Sequence, residues 1–476
     1  MHPALLLDDV LRQIFNLCPE SSLPAAARSC RDWRDPALDC IWSRLSSLVP
    51  LLNLIPGLSC VGGVYNVSLE APLDLTIFHS YACRVKHITQ RHDTRVHTTL
   101  LSILSGQGDP ILNKLTTTRL SSIDVHCISS ALSLSPSLQQ LDLDMGFKNR
   151  QSLDIEDYLD KLFRIATGLD RLRLRGFASQ RLNSVIARMS NLRGLSLRTG
   201  NFLTEDTLVA LSAFPCLFEL EVEAGHLAID VLSEKWALSV PDGGYFRSLQ
   251  KLHICAQGPL IELLLKTLRP GHLRTLRIEA TTPSGSIVSW STIFNLITAT
   301  ASHTLEDLTI EQHLDDIDLD ITPTANANTN THTSTHTPSR TETNRITFDI
   351  MRLLAPLRSL HSFTIDMTHM PDVDDHDMDS LATWWPTLVH LDLGFIHSSD
   401  CIRYGGPRAT PACLRALATS LPKLETLILP LDIAPVAVCA PAVARRAHCG
   451  ERPSHRPFRL WILLLSLCIS TPCSLS

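Results

Sequence analysis

Positive charge is in short supply in this chain of 476 residues, where 42 Lys and Arg stand against 48 Asp and Glu for a formal net charge of −6. Nucleic acids and anionic membranes are met by a basic face, so no nucleic acid and no membrane is expected as a partner. Aromatic residues are scarce as well, at 5%. The 14 cysteines are scattered, with no CxxC pair and no Cys/His spacing of the zinc-finger kind. A metal site is therefore not expected, and the thiols read as reduced and buried. GxSxG, P-loop, HExxH and GxGxxG motifs are all missing, which leaves no catalytic residue and no cofactor to nominate. The chain is not expected to be an enzyme. The start, Met1 to Asp9, lacks a basic segment, and Asp8 and Asp9 cut its apolar run short. It does not read as a signal peptide, so a cytoplasmic or nuclear location is expected.

What the chain has instead is aliphatic periodicity. Apolar residues make up 44% of it, mainly Leu, Ile, Val and Ala. The pattern LxxLxL recurs at Leu138/Leu141/Leu143, Leu169/Leu172/Leu174, Leu192/Leu195/Leu197 and Leu217/Leu220/Val222. It continues at Leu249/Leu252/Ile254, Leu273/Leu276/Ile278, Leu305/Leu308/Ile310, Leu360/Phe363/Ile365, Leu388/Leu391/Leu393 and Leu424/Leu427/Leu429. Leu120/Ile123/Val125 reads as a weaker copy in front. The last two positions of each copy lie two apart and share one face of a strand.

Helical stretches fill the intervals. Thr204-Glu205-Asp206 opens one as an N-cap with an acidic first turn, and Pro259 opens another ahead of Leu260, Ile261, Leu264 and Leu265. A single strand–turn–helix unit cannot bury both its strand face and its helix stripe, but a stack of them can. The expected fold is an α/β solenoid, a horseshoe with a parallel sheet on the concave face and helices on the convex face. The pattern resembles the irregular, helix-containing leucine-rich repeats over residues 81–432.

Residues 1–50 follow another rule. Leu5, Leu6, Val10, Leu11, Ile14, Phe15 and Leu17 recur at helical spacing, and two further helical stretches hold Cys30-Arg31-x-Trp33 and Ala37-Leu38-x-x-Ile41-Trp42. The set Pro3, Leu6-Leu7, Val10-Leu11, Ile14-Phe15, Cys30-Arg31-x-Trp33 and Ile41-Trp42 resembles the F-box family, of the fungal kind followed by leucine-rich repeats. That resemblance implies a three-helix unit docking a Skp-type adaptor, and through it a cullin, in an SCF-type ubiquitin ligase. It nominates Pro3, Leu6, Val10, Ile14, Phe15, Trp33 and Trp42 as the adaptor-binding residues. The same side chains also suit an N-terminal cap on the repeats, and the two readings are compatible.

Residues 51–80 read as a connecting segment. Within the array, the position between the last two apolar residues of each strand should face the concave side. It nominates Asp142, Arg173, Glu221, His253, Arg277 and Asp392 as contacts for a substrate protein. That face is mixed in sign, so Arg173 beside Asp142, and Arg277 near Glu279, should also neutralise one another. Residues 322–345, rich in Thr and Asn, read as a disordered insert. The acidic runs Asp315–Asp320 and Asp372–Asp377 read as solvated loops, since neither has the Gly and Glu of a calcium loop. Residues 433–476 break the repeat and read as an atypical tail. The expected role is a substrate-binding adaptor of a ubiquitin ligase; the alternative is a leucine-rich-repeat scaffold or inhibitor acting without one.

Overall fold

The computed structural model describes residues 7–67, 73–90, 94–105, 110–121, 134–146, 153–238, 244–282, 288–313, 346–394 and 407–432. The insert at 322–345, the acidic run Asp315–Asp320 and the tail at 433–476 lie outside the described residues. The chain divides into two compact units, Met1–Leu217 and Phe218–Ser476.

The first unit opens with three helices, α1 (Asp8–Asn16), α2 (Leu23–Ser29) and α3 (Arg31–Ser43). Asp8 and Asp9 sit in the first turn of α1, where carboxylates favour the helix dipole. Pro24 sits in the first turn of α2, where its missing N–H costs nothing. Leu11, Phe15, Leu23 and Ala37 form the buried centre, ringed by Trp33, Cys40 and Ile41. The last helix runs straight into strand β1 (Arg44–Leu45).

A small sheet follows. Strands β2 (Leu58–Val61) and β3 (Val64–Val67) form an antiparallel hairpin, and β5 (Arg95–Val96) joins β3 in parallel. Gly62 and Gly63 make the two-residue turn with φ of 61° and 79°, the left-handed pair that a tight hairpin favours and that glycine adopts without strain. In the segment read as a connection, the structure thus places a hairpin and a helix, Thr76–Ala82.

The repeats begin earlier than the leucine pattern does. In the first unit β1 pairs in parallel with β4 (His87–Gln90), and then follow β6 (Thr117–Ser121), β7 (Gln140–Asp144), β8 (Arg171–Arg175) and β9 (Gly194–Arg198). The second unit lays seven parallel strands in chain order: β10 (Glu219–Glu223), β11 (Lys251–Ala256), β12 (Thr275–Ala280), β13 (Asp307–Gln312), β14 (Ser362–Met367), β15 (His390–Asp392) and β16 (Thr426–Ile428).

The register sets like against like. Leu141, Leu172 and Leu195 are successive partners in the first unit. Leu220, Leu252, Leu276, Leu308, Phe363, Leu391 and Leu427 are successive partners in the second. Helices return behind the strands, and Gly258–Thr267 packs on Trp290–Ala301 as Asp375–Leu381 packs on Cys413–Ser420. In each unit the parallel strands and the helices behind them form an α/β solenoid.

Two expectations change. The weak front copy has another register: Thr118 pairs with Leu141 and Leu120 with Leu143. The buried set is therefore Leu115/Thr118/Leu120, which the pattern missed because a threonine stands where a leucine should. One repeat earlier the set is Val85/Ile88/Gln90, with the buried Gln90 amide donating to Thr94 Oγ1 at 3.0 Å. The run Asp372–Asp377 is a helix start and not a solvated loop. Asp374 caps the helix Asp375–Leu381 in a reciprocal box with Asp377, and Arg408 bonds Asp372 and Asp374 at 3.3 and 3.1 Å.

Thr118 is fully buried between Ile88 and Leu141, and its hydroxyl has no hydrogen-bond partner among the described residues. A buried hydroxyl left unpaired costs about 1–3 kcal/mol, so Thr118→Val should raise the denaturant midpoint with an unchanged slope. Leu276 sits fully buried between Leu252 and Leu308. Leu276→Ala should cost about 2–5 kcal/mol in the same measurement.

Candidate functional site

Two surfaces are built by these elements: the outer face of α1 and the polar face of the parallel strands. At ~100° per residue, Leu7, Val10, Leu11, Ile14, Phe15 and Leu17 share an apolar arc of about 160°. Only one edge of that arc, Leu11 and Phe15, is buried against the other helices. The rest points outward, with Leu7 58%, Ile14 38% and Leu17 89% exposed and Val10 half-buried.

The nominated adaptor residues therefore separate. Val10 and Ile14 lie on the outward stripe. Phe15 and Trp33 meet edge to face at 5.9 Å inside the helical unit, and the ring of Trp42 meets that of Tyr81, on the helix Thr76–Ala82, at 4.7 Å and a tilt of 47°. Pro3 and Leu6 lie outside the described residues. Leu7 and Leu17 complete the stripe and were not nominated, although their i, i+3, i+7 and i+10 spacing with Val10 and Ile14 was there to read.

On the strands, side chains alternate between the core and the polar face. Asp142 on β7 accepts from Arg119 Nε on β6 at 2.7 Å. Arg173 on β8 is exposed, in register between Asp142 and Ser196. In the second unit His253 on β11 places Nδ1 2.9 Å from Glu221 Oε1 on β10 and Nε2 3.7 Å from Glu279 Oε2 on β12. Arg277 on β12 bonds both carboxylate oxygens of Glu311 on β13, at 2.8 and 3.0 Å.

Cross-strand pairs do form, and Arg277 takes another partner than expected. Asp142 meets Arg119, hidden by the misread register of β6, and Arg277 meets Glu311 while Glu279 faces His253. Among the described residues no group of three His, Cys, Asp or Glu is placed to hold a metal ion.

No family model and no curated protein sequence matches the chain. Among solved structures, a chain of the crystal structure of the TLR13–ssRNA13 complex aligns with 67% of this chain at 13% identity and a TM-score of 0.28. This chain spans 39% of that one. At that score the likeness carries no weight, and the repeat fold stands on its own strand register.

The carboxyl of Asp392 on β15 is shifted. Burial pushes its pKa above the ordinary value, against the backbone N–H of Gly394, which donates to Oδ1 at 2.9 Å, and the pull of His390; Asp366 adds to the rise. A carboxyl whose pKa is raised by folding favours the folded state below its unfolded pKa of about 3.9. That advantage is lost as pH rises through the folded value. Asp392→Asn keeps the acceptor for Gly394 and removes the buried charge. It should raise the melting temperature at pH 7, with the gain shrinking as the pH is lowered towards 4. A variant less stable than the parent at pH 7 would show that the charge is used.

Proposed function

We propose that the chain is a protein-binding adaptor, the substrate-recognition subunit of an SCF-type ubiquitin ligase. In this reading the outward face of α1 docks a Skp-type adaptor and through it a cullin. The polar strand faces, with Asp142, Arg173, Glu221, His253, Arg277 and Asp392, contact a substrate protein. The chain itself performs no chemistry, and it works in the cytoplasm or nucleus. Among the described residues no helix is long and apolar enough to cross a membrane.

One observation carries the docking half. The apolar arc of α1 is wider than its own unit covers, leaving Leu7, Ile14 and Leu17 exposed. An apolar stripe at helical spacing is what a partner helix or groove recognises. The resemblance of residues 1–50 to the F-box family selects the Skp-type partner. The substrate half rests on the strand faces, broad polar surfaces that a repeat array presents for binding.

A second reading, a leucine-rich-repeat scaffold or inhibitor working without a ligase, is favoured by the inward placement of Phe15, Trp33 and Trp42. The two separate in a pull-down with a purified Skp-type adaptor. Ile14→Asp with Leu17→Asp alters only exposed side chains, so circular dichroism should be unchanged while adaptor binding falls at least about 10-fold. Binding that survives the double substitution, or is missing in the parent protein, leaves the scaffold reading.

A further inference from the structure

The junction between α3 and the first repeats contains no linker. The last residue of α3, Ser43, accepts a backbone hydrogen bond from Lys86 at 2.9 Å. The next two residues are β1, with Arg44 and Leu45 in register with His87 and Ile88 of β4. Three residues before Leu45 stands Trp42, at the place Val85 holds before Ile88, and its ring packs at a tilt against Tyr81. The end of the helical unit is thus built as the first rung of the array.

Charges cross the same joint. Asp39 on α3 is shared by two arginines: one oxygen bonds Arg12 of α1 and the other bonds Arg84, which follows the helix Thr76–Ala82. Arg84 also reaches Asp35, at 2.7 Å to the carboxylate and 3.2 Å to the carbonyl, and Arg12 holds Asp8 at 2.7 Å. Asp39 and Arg84 keep only 21% and 20% of their side-chain surface exposed. Burial opposes the charge of both arginines. Hydrogen bonds and attraction to Asp8 and Asp39 for Arg12, and to Asp35 and Asp39 for Arg84, outweigh it and raise both pKa values.

We infer that Asp39 is a positioning residue. As the anion shared by Arg12 and Arg84, it locks the docking helix α1 to the first repeat, so that helices and first repeats open as one cooperative body. The inference does not need the adaptor reading, because the coupling belongs to the free protein. Arg12 and Arg84 meet only through this carboxylate. Without it, two guanidiniums converge on a part-buried site with a neutral group between them. A conventional domain boundary near residue 50 would also cut through the run Leu45, Leu48, Leu51 and Leu52, all of them buried here.

The test is hydrogen exchange on the full-length protein, read in residues 8–43 and 76–90. In the parent protein both segments should exchange with matching protection. Asp39→Asn should speed exchange in both by about tenfold, with residues 251–312 unchanged, and Asp39→Glu should recover most of the loss. Arg12→Gln and Arg84→Gln should show a non-additive effect on exchange in α1 that vanishes in the Asp39→Asn background. Additive effects of the two arginine variants, or protection in 8–43 that is untouched by Asp39→Asn, would overturn the inference. If adaptor binding fails in the pull-down while this coupling is found, the docking proposal is lost and the positioning role stands.

Discussion

The structure depends on one constraint: parallel strands in register must place aliphatic side chain over aliphatic side chain. Within the second unit that column runs from Leu220 to Leu427 without a polar interruption at its middle position. A slip of one residue anywhere would turn the leucines to solvent and the charged residues into the core. Burial of one such side chain is worth roughly 1.5–3 kcal/mol. A slipped strand would lose two or three of these, and bury charge as well. The same alternation that packs the core therefore fixes, with no further instruction, which residues line the polar face.

That constraint explains what was legible. The ten leucine copies, the helix start at Thr204, the Pro259 turn and the six strand-face residues follow from period and spacing alone. Thr204 does cap its helix, accepting from the N–H of Thr207. The misses share a cause: they occur where a polar residue occupies an apolar place. Thr118 and Gln90 hold leucine positions, so the copy around Thr118 reads out of register and the one around Gln90 does not read as a repeat. The misplacement of β6 then hid Arg119, the partner of Asp142. The helix after Asp374 was lost for the converse reason, because a run of acids looks like solvated loop until a capping box gives it a role.

The helical unit was legible as helices but not as surfaces. Helical spacing identified the apolar arc of α1 but could not divide it into an inner and an outer half. That division depends on where α3 lies, and Phe15 turns inward because Trp33 is there to receive it. Trp42 is harder still. Its role is set by Tyr81, nearly forty residues on, just past a segment that reads as featureless connection.

The polar face has a further consequence for recognition. Arg277 on Glu311, His253 between Glu221 and Glu279, and Arg119 on Asp142 are already paired across strands. At His253, Glu221, Glu311 and Asp142 only 14–28% of the side-chain surface is exposed, so these pairs are held half-buried on the polar face, outside the aliphatic columns. They do constrain a partner. Under the proposed function, a bound protein would have to offer a better polar arrangement than the one each pair already has, and a partner lacking that complement would strip water from paired groups without replacing it. Such a surface contributes more to discrimination than to affinity. In the proposed reading the affinity comes from apolar contact, and on α1 the side chains of Leu7, Ile14 and Leu17 stand open to a partner, opposite in kind to the strand faces and joined to the repeats without a linker.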